Sequence, residues 1–332
     1  MNHPRRCAPT SGQLYPGLGG NLPLEWVADL SGIRITADGC VVRASEQENS
    51  DLFWGLRGGG GNFGVVTHFE YKLYLVGPEV MAGAIAWRAE DAHDVLEMYR
   101  TFTEQAPPGG HMCRCAAHGA AGTVGLPKDI HGKPIIALFV CHSGAVEEGE
   151  QQVVPIKAFG SPAGDVLMRR SYVSQQSILD ATQPKGRRYY WKSEYLPKLD
   201  PERLAKVIEH AEHIVSPHSA IILFPIDGAL NRLPADHAPM GNRDAACVLN
   251  IMASWERAED DRANIEWARA TWSDMRRFST GGTYINFLTE EESGERIRAA
   301  YGKNYDRLVE VKTKWDPDNL FRMNKNIPPQ VF

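Results

Sequence analysis

Alternating hydrophobic and polar positions predict a β-hairpin near the start of the chain. Residues 33–36 and 41–44 are rich in β-branched side chains, and the Asp38-Gly39 pair between them is typical of a tight turn. Residues 65–73 alternate in the same way, which predicts a further strand. The first part of the chain is therefore expected to contain a small sheet.

A helix is predicted between the hairpin and the next strand. Ser45-Glu46-Gln47-Glu48 has the Ser-x-x-Glu form of a capping box, in which the serine and glutamate side chains satisfy free N–H groups of the first turn. The helix that it opens is expected to continue to Arg57, where the four glycines Gly58 to Gly61 end it.

The chain after Gly77-Pro78 alternates short apolar segments with amphipathic ones. The pattern predicts strands at residues 83–87, 135–141, 220–224 and 248–253, and helices at 91–104, 145–159, 201–214 and 258–277. Two further helices are predicted at 295–300 and 304–315, the second ending before Pro317. Strands and helices in this arrangement indicate an α+β fold, an antiparallel sheet covered by helices on one face.

The glycine run is the first candidate for ligand chemistry. Residues 59–64 match G-x-G-x-x-G, but a helix precedes them and a strand follows, which is the reverse of the dinucleotide-binding order. Consecutive glycines nevertheless allow the backbone to approach a ligand closely and to point its N–H groups at an anion. The alternative is a plain helix-to-strand turn.

Composition excludes several classes of protein. The 332 residues carry a formal net charge of −5, which disfavours a general nucleic-acid or anionic-membrane binder. Neither an apolar run of membrane-spanning length nor a secretory signal is found, and we expect a cytoplasmic protein that acts on a small molecule.

A metal site is the weaker interpretation of the cysteine-rich segment. His111, Cys113 and Cys115 alternate with other residues as one face of a strand would, and no second cysteine pair lies at zinc-site spacing. We therefore expect no metal.

Three segments resemble one flavoprotein family. Residues 51–67 closely resemble the glycine-rich segment of the berberine-bridge-enzyme-like FAD-linked oxidases, which belong to the vanillyl-alcohol-oxidase/PCMH superfamily. Tyr284-Ile285-Asn286 is similar to the family's Tyr-x-Asn motif, and residues 304–327 to its C-terminal berberine-like element. Residues 188–193, which include Lys192, resemble a segment of the substrate domain of bacterial members. Lys192 is expected either to face the substrate cavity or to be exposed.

The resemblance implies site residues. Tyr284 would position or deprotonate a substrate hydroxyl, with Asn286 beside it near the flavin ring. The implied cofactor contacts are Gly59, Gly60, Gly61, Asn62, Gly64, Val65, Asn324 and Asn326. Lys325 stands where the family commonly has glutamine, and a lysine cannot accept a hydrogen bond. The implied reaction is hydride transfer from a small alcohol, sugar or heterocycle to FAD, with reoxidation by dioxygen.

The resemblance also implies a division of the chain. Residues 1–77 would form the second part of a PCMH-type FAD-binding domain, residues 1–30 being irregular. Residues 78–299 would form the substrate domain, and residues 300–332 a berberine-like element that returns to the FAD domain.

One family feature is missing from the sequence. The Arg-x-Gly-Gly-His loop that holds the pyrophosphate in the family occurs nowhere in these 332 residues. The FAD domain is therefore expected to be a remnant, with weak or absent FAD binding by this chain alone. The alternative is a truncated, catalytically inactive fragment that retains only the substrate-domain fold. A separate chain that supplies the N-terminal FAD subdomain is a third expectation.

Overall fold

The computed structural model describes residues 30–71, 77–105, 112–120, 127–180, 184–226, 229–289, 291–292, 294–322 and 325–331. Its strands are β1 (Leu30–Ile35), β2 (Val41–Ala44), β3 (Val65–Val66), β4 (Glu70–Tyr71), β5 (Glu79–Arg88), β6 (Met112–Ala120), β7 (Pro134–His142), β8 (Gly164–Asp165), β9 (Met168–Ser171), β10 (Arg188–Leu196), β11 (Ala220–Pro225) and β12 (Cys247–Trp255). Its α-helices are α1 (Ser50–Leu56), α2 (Ala92–Gln105), α3 (Val146–Gln152), α4 (Val154–Lys157), α5 (Tyr172–Gln176), α6 (Pro201–Glu212), α7 (Ala229–Arg232), α8 (Asp261–Met275), α9 (Gly294–Tyr301) and α10 (Tyr305–Trp315). None of the helices in these ranges is long and apolar enough to cross a membrane.

The predicted hairpin is confirmed. β1 and β2 pair antiparallel, with Ile35 opposite Val41. The turn is closed by a hydrogen bond from the Thr36 amide to the Cys40 carbonyl at 3.0 Å, and the Thr36 hydroxyl donates to Asp38 Oδ1 at 2.6 Å. Gly39 adopts a φ of 80°. That left-handed conformation strains most other residues and explains the glycine at this position.

Two local predictions in this region were wrong. Ser45 Oγ accepts the amides of Gln47 and Glu48 at 3.2 and 3.0 Å, so it closes a turn, but α1 begins only at Ser50. Within the described residues, which end here at Tyr71, the predicted strand 65–73 is two short strands on β1. Five residues, from Val66 to Glu70, lie opposite four on β1, so the extra residue forms a bulge that interrupts the ladder.

The second sheet has eight strands, all paired antiparallel. Their order is β10-β12-β11-β6-β7-β5-β8, and β9 also pairs with β5. Helices α2, α6 and α8 pack on one face, where Trp87, Tyr99 and Trp267 belong to the largest apolar core. The predicted sheet with helices on one face is confirmed.

The predicted helix 145–159 is interrupted between α3 and α4, because Pro155 has no N–H to continue the helical hydrogen bonds.

The opposite face of the sheet, the segment around α1 and the last helices form the other side of the described part of the molecule. Side chains alternate along a strand, so Tyr195, Ile222 and Phe224 point away from the helices and form a second core with Tyr284 and Phe287. A third core joins α1 and the residues after it to the last helices of the chain; it contains Leu52, Phe53, Phe63, Tyr301, Leu308 and Ile327. The glycine run and the C-terminal segment are therefore packed against each other.

Candidate functional site

The glycine turn, residues 58–64, links α1 to β3. A Cβ on Gly59 would lie 2.4 Å from the Phe63 ring, and one on Gly64, whose φ is 143°, would lie 2.6 Å from the Ile35 carbonyl oxygen. Packing alone therefore requires glycine at these two positions. At Gly60 the nearest atom lies 4.0 Å from a built Cβ, and Gly61 is exposed. These two residues leave the backbone open to a ligand, and the next strand begins with the exposed Val65.

Asn62 connects this turn by hydrogen bonds to the C-terminal tail, residues 325–331. The side chain is 1% exposed, and its Nδ2 donates to the Gly59 carbonyl at 2.8 Å and to the Lys325 carbonyl at 3.1 Å. Its Oδ1 accepts the Ile327 amide at 3.0 Å. Both amide hydrogens and the oxygen are thus engaged within the protein. The structure thus shows Asn62 joining the glycine turn to the tail.

A buried ion pair supports the same junction. Lys312 and Asp316 are both 0% exposed, and Lys312 Nζ lies 2.5 Å from Asp316 Oδ2. The ammonium also donates to the carbonyls of Asn62 at 2.8 Å and Phe321 at 2.9 Å, while Asp316 accepts the Leu320 and Phe321 amides. Burial lowers the pKa of Lys312. Burial raises the pKa of Asp316, but its hydrogen bonds and Lys312 bring that pKa below its usual value.

Tyr284 faces a small hollow between the sheet and the glycine turn. It is 4% exposed and lies in extended backbone just before a 3₁₀ turn, and Asn286 Nδ2 donates to its hydroxyl oxygen at 2.8 Å. We name this space the Tyr284 hollow. Its lining consists of Gly58, Tyr195, Met240, Tyr284, Ile285, Ala300 and Tyr301. Tyr284 and Gly58, the first residue of the glycine run, thus border one space, whereas the predicted contacts Asn286 and Gly59 to Gly61 are not part of its lining.

The tail connects the glycine turn with the segment that follows Tyr284. Lys325 Nζ donates to the Thr289 carbonyl at 2.9 Å, while its own carbonyl accepts from Asn62. Asn326 Oδ1 is buried and has no hydrogen-bond partner among the residues that the structure describes. A buried acceptor without a donor is costly and is typical of a position that a ligand completes. Asn324, the other asparagine predicted here, lies outside the described residues.

The sheet face beside Tyr284 carries two polar groups that the sequence did not single out. Trp191 Nε1 and Asn250 Nδ2 are buried, and neither has a hydrogen-bond partner within the described ranges. Asn250 lies in the middle of β12, whose other residues are mostly apolar. A polar residue inside an apolar strand was the signal available from the sequence.

Lys192 was predicted either to face the substrate cavity or to be exposed, and it does neither. It is 2% exposed. Its side chain points to the helix side of β10, because the preceding residue, Trp191, faces the opposite side of the sheet. Its Nζ lies 2.7 Å from Glu291 Oε1. Burial raises the pKa of Glu291, but hydrogen bonds from Lys192, Tyr190 and Arg269 outweigh it and lower that pKa to about 2. Lys192 therefore anchors the segment that follows the Tyr284 motif.

Metal ligands do not gather in the described part of the chain: no three His, Cys, Asp or Glu side chains there are placed to hold an ion. His111 lies outside the described residues, and Cys113 and Cys115 lie on β6.

Comparison with protein families gives one match. The berberine and berberine-like family model matches residues 283–328, the segment that contains Tyr284, Asn286 and the first residues of the tail. Curated relatives include an uncharacterised FAD-linked oxidoreductase of Bacillus subtilis, 26% identical over 87% of this chain and 61% of its own length. The (R)-6-hydroxynicotine oxidase of Paenarthrobacter nicotinovorans is 28% identical over 91% of this chain and 65% of its own length.

Solved structures share the fold. 6-Hydroxy-D-nicotine oxidase from Arthrobacter nicotinovorans superposes with a TM-score of 0.74 at 23% identity, covering 91% of this chain and 66% of the other. Berberine bridge enzyme from Eschscholzia californica superposes with a TM-score of 0.75 at 18% identity, covering 92% and 66%. The chain thus spans three-fifths to two-thirds of the length of these relatives.

Proposed function

The chain is related by sequence and fold to the berberine-bridge-enzyme-like FAD-linked oxidoreductases, and we propose that it is an FAD-dependent oxidase of a small hydroxylated molecule. The substrate would be an alcohol, a sugar or a heterocycle, bound beside the Tyr284 hollow. The observation that supports the proposal is Tyr284, which accepts the Asn286 amide and borders the same hollow as Gly58 of the glycine run.

Residues of the glycine turn, the Tyr284 segment and the tail have groups that suit an isoalloxazine ring. The edge of that ring carries an N–H group, and the unpaired Asn326 Oδ1 would accept it. Gly60 and Gly61 leave backbone open on the same turn. These residues, with Asn286, would hold the ring end of the cofactor. When bound, FAD supplies the two-electron acceptor for the hydride that leaves the substrate.

The protein's own groups would manage the substrate proton. Tyr284 Oη accepts the Asn286 amide, and a donor aimed at this oxygen stabilises negative charge on it. As the phenolate, Tyr284 would accept the proton of a substrate hydroxyl and become the neutral phenol. The Phe287 ring packs edge-on against Tyr284, 5.1 Å between ring centres, and keeps the phenol in place. Asn62 and Lys312 hold the tail against the glycine turn.

We further propose that the two sides of the hollow correspond to two functional units. Residues 1–77 and 300–332 would form the cofactor side, and residues 78–299 the substrate side. The apolar core that Phe63 shares with Leu308 and Ile327 supports this division. A separate chain completing the cofactor site, expected above, has no support among the comparisons.

The proposed reaction is tested by flavin reduction without oxygen. The chain, incubated with excess FAD, is mixed anaerobically with primary alcohols, with oligosaccharides and with hydroxylated heterocycles. We expect at least one class to remove the visible absorbance of the bound flavin, because substrate hydride moves to the cofactor. If FAD binds and none of the three classes reduces it, the inactive-fragment alternative replaces the proposed function.

A further inference from the structure

The Tyr284 hollow is small, with room for about one water molecule. The rings of Tyr195, Tyr284 and Tyr301 form much of its lining, and the other lining residues are Gly58, Met240, Ile285 and Ala300. A sugar or a heterocycle is too large for this space. The substrate would therefore lie beside the hollow, and only a much smaller molecule fits inside it.

Tyr195 brings a hydroxyl group without a protein partner to this hollow. The residue is 1% exposed and belongs to the core on this face of the sheet. Its backbone is fixed, because its amide donates to the Gly282 carbonyl at 3.1 Å and its carbonyl accepts the Thr280 amide at 2.9 Å. The hydroxyl itself makes no hydrogen bond to any residue that the structure describes. A buried hydroxyl in this state is costly unless a small polar molecule satisfies it.

Two further oxygens on the hollow can complete the surroundings of one water molecule. The Tyr284 oxygen accepts the Asn286 amide at 2.8 Å and has capacity for another hydrogen bond. The Gly58 carbonyl accepts the Tyr301 hydroxyl at 3.3 Å, a long bond, and a carbonyl oxygen has two lone pairs. A buried water makes about three hydrogen bonds. The oxygens of Tyr195, Tyr284 and Gly58 supply that number.

Burial determines which of the three phenols keep their protons. It raises the pKa of Tyr195, and the nearby Arg243 offsets this only in part. It also raises the pKa of Tyr301. Apart from the three tyrosines, the described lining of the hollow contains no titratable or charged side chain. Tyr195 and Tyr301 are therefore hydrogen-bond donors, whereas Tyr284, whose oxygen accepts the Asn286 amide, is the phenol suited to ionise.

We propose that a water molecule in the Tyr284 hollow accepts a hydrogen bond from Tyr195 Oη and donates one to Tyr284 Oη. We name this arrangement the water bridge. Tyr195 is then a positioning residue, which acts through the water and stabilises the phenolate of Tyr284. In the reaction the substrate proton moves to that phenolate, while Tyr195 and the water are chemically unchanged. The inference rests on the proposed function for the role of Tyr284 as the base, but the water bridge belongs to the protein without flavin.

NMR titration of the 332-residue chain without flavin tests the water bridge. The tyrosines carry carbon-13 at Cζ, and the signal that disappears in Tyr284→Phe belongs to Tyr284. Tyr195→Phe removes the donor and keeps the ring, so the pKa of Tyr284 should rise and make this phenol about 10-fold weaker as an acid. Ala300→Val adds bulk to the lining, which excludes the water, and should raise the same pKa although Tyr195 is intact.

The pH profile of flavin reduction gives a second readout. The rate of Tyr195→Phe should fall roughly 10-fold near neutral pH, because less phenolate is present. It should recover as the pH rises above the new pKa of Tyr284, since the phenolate then forms in both proteins. A merely structural role of Tyr195 would lower the rate equally at every pH.

The matched control is Tyr305→Phe, which removes a buried hydroxyl from a core outside the hollow. It should change neither the pKa of Tyr284 nor the pH profile. The inference is overturned if Tyr195→Phe or Ala300→Val leaves the pKa of Tyr284 unchanged, or if the rate of Tyr195→Phe does not recover at high pH. A protein that shows both pKa changes but reduces no flavin retains this inference and loses the proposed function.

Discussion

Replacing Lys312 with methionine is expected to lower the free energy of unfolding by about 3–5 kcal/mol. Methionine has a similar length but no charge, so Asp316 would lose its positively charged partner in a site that is 0% exposed. The carbonyls of Asn62 and Phe321 would lose their common donor at the same time. Urea denaturation followed by circular dichroism measures the change.

Two further variants distinguish the effect of losing a buried charge from the effect of losing an exposed one. Lys314→Met removes a lysine two residues away on the same helix, but its side chain is 60% exposed and its pair with Asp51 lies at the surface. We expect a loss of at most about 1 kcal/mol from it. The double variant Lys312→Met with Asp316→Leu removes both buried charges and should recover part of the stability, because the backbone groups that the pair had bonded stay unpaired. A Lys312→Met protein as stable as Lys314→Met would show that the buried pair is not a stabilising junction.

Tyr284→Phe is expected to slow substrate-dependent flavin reduction roughly 100- to 10,000-fold, the usual loss for a proton-transferring side chain. The ring remains and keeps its packing against Phe287, so the fold should not change. Only the hydroxyl that accepts the Asn286 amide is lost. Anaerobic stopped-flow measurement of the reduction rate, with the substrate found by the screen, gives the effect directly.

Tyr305→Phe serves as the control for this variant. Tyr305 is 6% exposed and belongs to the core between α1 and α10, so its substitution tests the general cost of losing a buried hydroxyl. Its reduction rate should stay near that of the wild type. A Tyr284→Phe rate that matches the Tyr305→Phe rate would remove Tyr284 from the chemistry.

Much of the fold follows from periodicity in the sequence. The hairpin was predicted from its β-branched segments and the Asp38-Gly39 turn, and the strands around residues 83–87, 135–141, 220–224 and 248–253 from their short apolar runs. The errors fall where contacts between distant segments determine the local structure. Ser45 closes a turn rather than a helix, and the bulge between Val66 and Glu70 depends on the register that β1 imposes.

The candidate site was predictable in its segments but not in its contacts. Gly58 and Tyr284 border one hollow, whereas Asn62 proves to bind the tail 263 residues away. Lys192 and Asn250 show the limit most clearly: the side of the sheet that a residue faces is fixed by strand register. No local pattern reveals that register when both faces of the sheet are buried.

Equilibrium titration of flavin fluorescence tests the central claim, that the glycine turn, the Tyr284 segment and the tail form the ring end of a flavin site. The 332-residue chain should bind FAD weakly and saturably, with riboflavin bound about as well, because the residues named here would contact the ring. Asn326→Leu should weaken both roughly 10-fold, whereas Gln330→Leu, an exposed position of the same tail, should bind like the wild type. Absence of saturable binding, or equal affinity in the two variants, would contradict the claim.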